Sequence, residues 1–106
     1  MFKAMIFVHR KSGLSEAEFR RYWREVHGPK AAAIPGLLRY VQNHHPVDAA
    51  NRPPFCDGIA ELWYADEESY RRGRESETAK AAVADLDEFV DRSRLVYLFV
   101  EEEEVI

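Results

Sequence analysis

Residues 2–9 alternate Phe2, Ala4, Ile6 and Val8 against Lys3, Met5, Phe7 and His9, a period of two rich in aromatic and β-branched side chains that predicts a strand. Both sets are largely apolar, so the strand is expected at the centre of a sheet. Lys11-Ser12-Gly13-Leu14 is turn chemistry, and Ser15 with Glu18 three residues later forms a capping box that starts a helix. Phe19, Tyr22, Trp23 and Val26 then recur at i, i+3, i+4 and i+7, which gives that helix one aromatic face. Gly28-Pro29 is expected to interrupt it, Ala31 to Ala33 to add a short turn, and Pro35-Gly36 to end the excursion.

Residues 37–45 read as a second strand, with Leu38, Tyr40, Gln42 and His44 on one face and Leu37, Arg39, Val41, Asn43 and His45 on the other. The proline-rich stretch 46–56 is an irregular, exposed loop. Asp57 to Ala65 predicts a third strand, with Ile59, Glu61 and Trp63 opposite Ala60, Leu62 and Tyr64. Asp66 caps a second helical region that Gly73 weakens and Ser76 restarts, and Ala79, Ala82, Val83, Leu86, Phe89 and Val90 supply its apolar stripe. Arg94 to Val100 is a fourth strand, followed by the acids Glu101 to Glu104 as a solvated tail.

The order β-α-β-β-α-β is that of a ferredoxin-like α+β fold, a four-stranded antiparallel sheet with both helices on one face. With 106 residues, the chain is expected to form one domain over 1–106. The strands carry apolar residues on both faces, yet the helices cover only one. A homodimer joined through the uncovered sheet face is the expected remedy.

Composition narrows the function. Nineteen acids against 15 Lys and Arg leave a net charge of −4, which argues against a nucleic-acid partner. No apolar run approaches the roughly 20 residues a bilayer requires, and the start lacks a signal-peptide cleavage pattern, so no membrane partner and a cytoplasmic location are expected. Cys56 is the only cysteine, which excludes an internal disulfide and a thiol-based metal framework.

The segment from Gly13 to His45, GLSEAEFRRYWREVHGPKAAAIPGLLRYVQNHH, resembles the EthD family signature. That signature places a Phe-x-x-x-Trp pair on the first helix before a histidine, a short Ala-rich stretch, Pro-Gly-Leu and a Tyr-Val-Gln-Asn-His strand. Asp57 to Tyr64 is similar to the family's third strand. The resemblance implies a dimeric α+β barrel with an apolar pocket in each subunit. It also implies chemistry on cyclic, carbonyl-bearing molecules with no required cofactor or metal. Relatives include a methylmuconolactone isomerase, dehydratases and decarboxylases of fungal aromatic polyketide pathways, and a protein linked to ether degradation.

His27, one turn beyond Trp23, is the leading acid/base candidate, because an imidazole can take a proton from a carbon next to a carbonyl and return it elsewhere. A histidine at a helix end also serves simply to favour the dipole or to donate a structural hydrogen bond. By the resemblance, Tyr40 corresponds to a pocket tyrosine able to polarise a carbonyl oxygen. A buried tyrosine that caps the core is the plainer alternative. His44 shares the face of Tyr40 and is the second acid/base candidate. His44 and His45 point to opposite faces and so cannot jointly bind one metal. Glu61 is expected either to pair with an arginine such as Arg39 or, desolvated, to act as a base. Asn43, of opposite parity, is expected to fix the loop. Tyr22, Trp23, Phe55, Trp63 and Tyr64 are candidates to wall a flat ligand, although aromatics at such spacings usually form core. Leu62 stands where the lactone isomerase carries a cysteine, which speaks against that one isomerisation.

The expected function is a small cofactor-independent enzyme acting on an aromatic, polyketide-like or lactone metabolite by proton transfer next to a carbonyl. Cyclisation, dehydration, isomerisation and cofactor-free oxygenation all fit that description. The alternative is a dimeric module that binds a hydrophobic metabolite, or serves a catabolic enzyme, without turnover.

Overall fold

The computed structural model describes residues 1–106. Four antiparallel strands, β1 Phe2–Val8, β2 Arg39–His44, β3 Gly58–Tyr64 and β4 Val96–Glu101, lie in the order β2-β3-β1-β4. This is the ferredoxin-like arrangement expected from the element order. The two central strands pair over their whole length, from Phe2 opposite Tyr64 to Val8 opposite Gly58. That register puts Ala4, Val8, Ala60, Leu62 and Tyr64 on one face, all buried against the helices with Phe19, Trp23, Leu86 and Phe89.

The first helix, α1 Glu16–Tyr22, starts at the predicted capping box: Glu18 N–H donates to Ser15 Oγ, and Ser15 N–H to the Glu18 carboxylate. Contrary to expectation, Gly28-Pro29 does not break it. The chain widens into a π turn over Trp23–His27 and continues as α2, Gly28–Ala32. The widened turn lets Gly28 N–H reach back to the Trp23 carbonyl, and Pro29 falls where a first-turn proline needs no N–H partner. Such bulges rotate the residues they contain relative to a regular helix, and His27 is one of them.

The second helical region is two helices, α3 Glu67–Glu75 and α4 Glu77–Asp85, with Ser76 as the cap between them. Its apolar stripe outruns its helix. Leu86–Glu88 is a single 3₁₀ turn, and Phe89 and Val90, expected on the helix, lie beyond it. The strands are shorter by one to three residues than predicted, and β4 extends to Glu101. Glu102 is not free in solvent, since it accepts hydrogen bonds from Lys3 Nζ at 3.1 Å and from Trp63 Nε1 at 2.9 Å.

No helix covers the other sheet face, which presents Met5, Phe7, Val41, Ile59, Val96 and Leu98. Val96 and Leu98 are nearly half exposed there. Glu61 sits on this face and is paired, but with Lys3 at 2.6 Å rather than with Arg39. Arg39 instead lies over the Trp63 ring, 4.5 Å from its centroid. Asn43 also belongs to the sheet rather than the loop, because its Nδ2 donates to Ile59 O and to the Glu61 carboxylate. No helix of the protein is long and apolar enough to cross a membrane.

Candidate functional site

Helices laid on a twisted sheet leave a gap where the facing side chains are small. Ala4, Ala60, Ala31 and Ala82 leave such a gap here, a cavity of about 50 Å³. Ile6, Val8, Leu62 and Tyr64 complete its floor, and Trp23, His27, Ile34 and Leu86 its roof. Tyr40 on one edge strand and Tyr97 on the other close its ends, the latter with Tyr70 and Arg74 of α3. Of 17 lining residues, 15 are hydrophobic. His27 and Arg74 are the two that carry other chemistry.

His27 is buried, its ring 4.9 Å from that of Phe89. Its Nδ1 lies 3.0 Å from the carboxylate of Asp85, the last residue of α4. Asp85 also accepts from Tyr22 Oη at 2.6 Å and Lys30 Nζ at 3.2 Å. Burial pushes the Asp85 carboxyl upwards, but these hydrogen bonds outweigh it and hold the group below the usual carboxylate range. Burial is also the larger influence on His27 and lowers it below the ordinary imidazole value despite the neighbouring carboxylate. The pair at neutral pH is therefore a neutral imidazole beside an ionised carboxylate. An ionised carboxylate only accepts, so Nδ1 carries the proton and Nε2 keeps its lone pair. The same carboxylate binds the Tyr22 hydroxyl, and that bond and burial push Tyr22 up to about 12.

A second network holds Tyr40. Gln42 Nε2 donates to Tyr40 Oη at 2.7 Å and to the Trp23 carbonyl at 3.0 Å. The Tyr40 oxygen is thereby an acceptor, and its own O–H is left to donate. Burial raises the phenol, which keeps it protonated. Gly28 makes room for the link, since a side chain there would meet Gln42 Nε2 at 3.2 Å. The Gln42 oxygen in turn accepts from His44 Nε2 at 2.8 Å, so the buried Nδ1 of His44 is a bare acceptor with no partner.

The predicted residues therefore divide. His27, Tyr40 and Trp23 line the cavity. His44 does not; it packs on Trp23, ring centroids 4.5 Å apart, and reaches Tyr40 only through Gln42. Tyr22 touches the site through Asp85. Phe55, Glu61 and Trp63 are remote from it: Phe55 lies on Phe7, and Glu61 and Trp63 are on the sheet face away from the helices. Cys56 is buried outside the cavity, and burial raises its thiol. Sequence reasoning missed Asp85, Gln42 and Arg74. Asp85 had a signal, because it sits three residues after Ala82 and one before Leu86, an acid inside the apolar stripe.

A ferredoxin-like α+β fold enclosing an apolar cavity with one histidine–carboxylate pair defines the class of this protein. The EthD domain model matches residues 11–93, and the chain belongs to the EthD family. Among solved structures, it is similar to an EthD family protein from Bacillus halodurans C-125, at 20% identity and TM-score 0.82, with 97% of this chain and 100% of that one covered. A protein from Thermobifida fusca YX described as dimeric and ferredoxin-like shares 14% identity at TM-score 0.68, over 93% and 88% of the two chains. SnoaB from Streptomyces nogalater, described as a cofactor-independent oxygenase, shares 15% identity at TM-score 0.63, over 99% and 93%. At these identities the likeness is one of fold. Comparison with curated proteins finds no match.

Proposed function

We propose that the protein is a cofactor-independent enzyme that transfers a proton at a carbon next to a carbonyl in a cyclic, aromatic or lactone-type metabolite. The observation that carries this reading is the His27–Asp85 pair, 3.0 Å apart at the wall of an apolar cavity, from which the free lone pair is assigned to His27 Nε2. In that role Nε2 takes the proton from carbon, and the imidazolium formed is stabilised by Asp85 3.0 Å away. The Tyr40 hydroxyl donates to the carbonyl oxygen as it becomes an enolate. Return of the proton to another carbon gives isomerisation. Its delivery to a departing hydroxyl gives dehydration, and attack of the enolate on a second carbonyl gives cyclisation. Cofactor-free oxygenation, the activity in the description of SnoaB, is the variant in which the carbanion meets dioxygen.

The cavity, about 50 Å³, is smaller than the roughly 150 Å³ that accepts a benzene ring. A cyclic substrate therefore enters by displacing wall side chains. Trp23 and Tyr64 are fully buried and fixed, whereas Tyr70, Arg74 and Tyr97 are only partly buried and can swing. The assembly proposed is a homodimer through the open sheet face, which would cover Val96 and Leu98. Description of the T. fusca neighbour as dimeric supports it.

The test is a thermal-shift and mass-spectrometric turnover screen of phenolic polyketides, anthrones and lactones on wild type and His27→Ala. Conversion by wild type and not by folded His27→Ala is the expected result. Stabilisation without conversion, equal in both proteins, would overturn the acid/base role and assign a binding module instead.

A further inference from the structure

Arg74 is a cation in the cavity wall that forms no ion pair. Its helix neighbours Arg71 and Arg72 reach Glu67 at 3.0 Å and Glu68 at 3.5 Å across one turn. Arg74 turns inward instead, partly buried, its guanidinium carbon 5.4 Å from the ring centroid of Tyr97 and 5.8 Å from that of Tyr70. The polar groups acting on it are the phenols of Tyr97, Tyr70 and Tyr64, with no carboxylate among them. A guanidinium drawn partly out of water gains from a counter-charge, and contact with ring faces near the 6 Å limit supplies only part of what it loses. Its planar fork of N–H donors matches a carboxylate in a bidentate way that the surrounding phenols do not.

We infer that Arg74 is the docking point for a carboxylate on the ligand, so that this cavity takes an aromatic or polyketide-like acid rather than a neutral ring. The inference rests on the reading of the cavity as the ligand site but not on turnover. Sheet register adds the shape of that acid. Tyr97, beside Arg74, is on β4, and Tyr40, on the acid/base side, is on β2. These are the two edge strands, three inter-strand spacings or about 14 Å apart. Side chains converge from both edges, and once Tyr70 and Tyr97 swing aside the line between them is long enough for an elongated molecule of two or three fused rings. Its carboxylate lies against Arg74 and its reacting carbon near His27.

Isothermal titration with 2-naphthoate and with 2-naphthamide, which share a ring system and differ in charge, tests this on wild type, Arg74→Gln and Arg74→Lys. A hydrogen-bonded charge pair at a partly desolvated site predicts that wild type binds naphthoate about ten- to a hundredfold more tightly than naphthamide. Arg74→Gln is expected to abolish that preference while leaving naphthamide affinity within about threefold, and Arg74→Lys to restore part of it. A merely structural arginine would weaken both probes alike. Equal affinity of the two probes for wild type overturns the assignment even if every variant misfolds, and leaves the cavity reading standing. Naphthoate preference that survives in Arg74→Gln also overturns it. Failure of both probes to bind wild type sinks the carboxylate site and the cavity reading together.

Discussion

Replacing Asp85 with Asn keeps the shape of the side chain and removes its charge, so it isolates what the carboxylate does for His27. Asp85 accepts from Tyr22 at 2.6 Å, His27 at 3.0 Å and Lys30 at 3.2 Å, and it is buried. A hydrogen bond to a charged group is worth about 1.5–3 kcal/mol, and asparagine retains one acceptor oxygen. Allowing for non-additivity, the expected loss is about 2–4 kcal/mol, or about 10–20 °C in Tm for a chain of this size. Its effect on titration has a definite sign. The carboxylate raises the His27 value against the larger lowering by burial, so Asp85→Asn should move His27 still lower. Both groups have folded values below their unfolded ones. The unfolded chain therefore binds more protons, and stability falls as pH drops. In wild type the His27 contribution is fully present above its unfolded value of about 6.5 and is lost as pH falls through the folded value. The Asp85 contribution is fully present above about 3.9 and is lost as pH falls through its own folded value. The variant should lose the second step and keep the first. Calorimetric melts across pH, with the His27 ring followed by NMR, measure both. A Tm change under about 3 °C with an unmoved His27 titration would refute the coupling on which the mechanism depends.

Two further substitutions probe the frame around the site. A methyl group at Gly58 would stand 2.4 Å from Trp23 Cζ3 and 2.7 Å from Cη2, and the indole is too buried to move freely. Gly58→Ala should cost about 1–3 kcal/mol, and an unchanged denaturation midpoint would show that the indole is not packed as described. Leu98→Glu places a carboxylate on the open sheet face. If that face joins two copies, an unpaired buried charge should weaken the dimer by at least about a hundredfold. Light scattering measures this directly, and a monomeric wild type would dismiss the sheet-face dimer outright.

Local patterns carry the elements of this protein because each depends on neighbours in sequence. Alternation in Phe2 to Val8 and the Ser15–Glu18 capping box need only a few residues of context, and both recur in the structure. The order of those elements then leaves few topologies, which is why the ferredoxin-like sheet was legible. The EthD resemblance further drew attention to His27 and Tyr40, which line the cavity. Strand parity also put Tyr40, Gln42 and His44 on one face, but parity does not say how deep a side chain lies. Trp23 stands over His44 and holds it out of the cavity. That screening depends on where the π turn that follows α1 crosses the sheet.

Pairings between distant segments were decided by tertiary structure alone. Asp85 meets His27 across 58 positions of sequence, and Glu61 meets Lys3 rather than Arg39 because β3 pairs with β1 on that side as well as with β2. Charge complementarity permits several partners for every acid, and only the packed distances select one. Where the helix passes through Gly28-Pro29, Gln42 of β2 likewise bonds the Trp23 carbonyl inside the widened turn. The types of side chain available for chemistry are properties of the sequence. Which nitrogen of His27 holds its proton, and which arginine is left facing an apolar cavity, follow from the way the helices lie across the sheet.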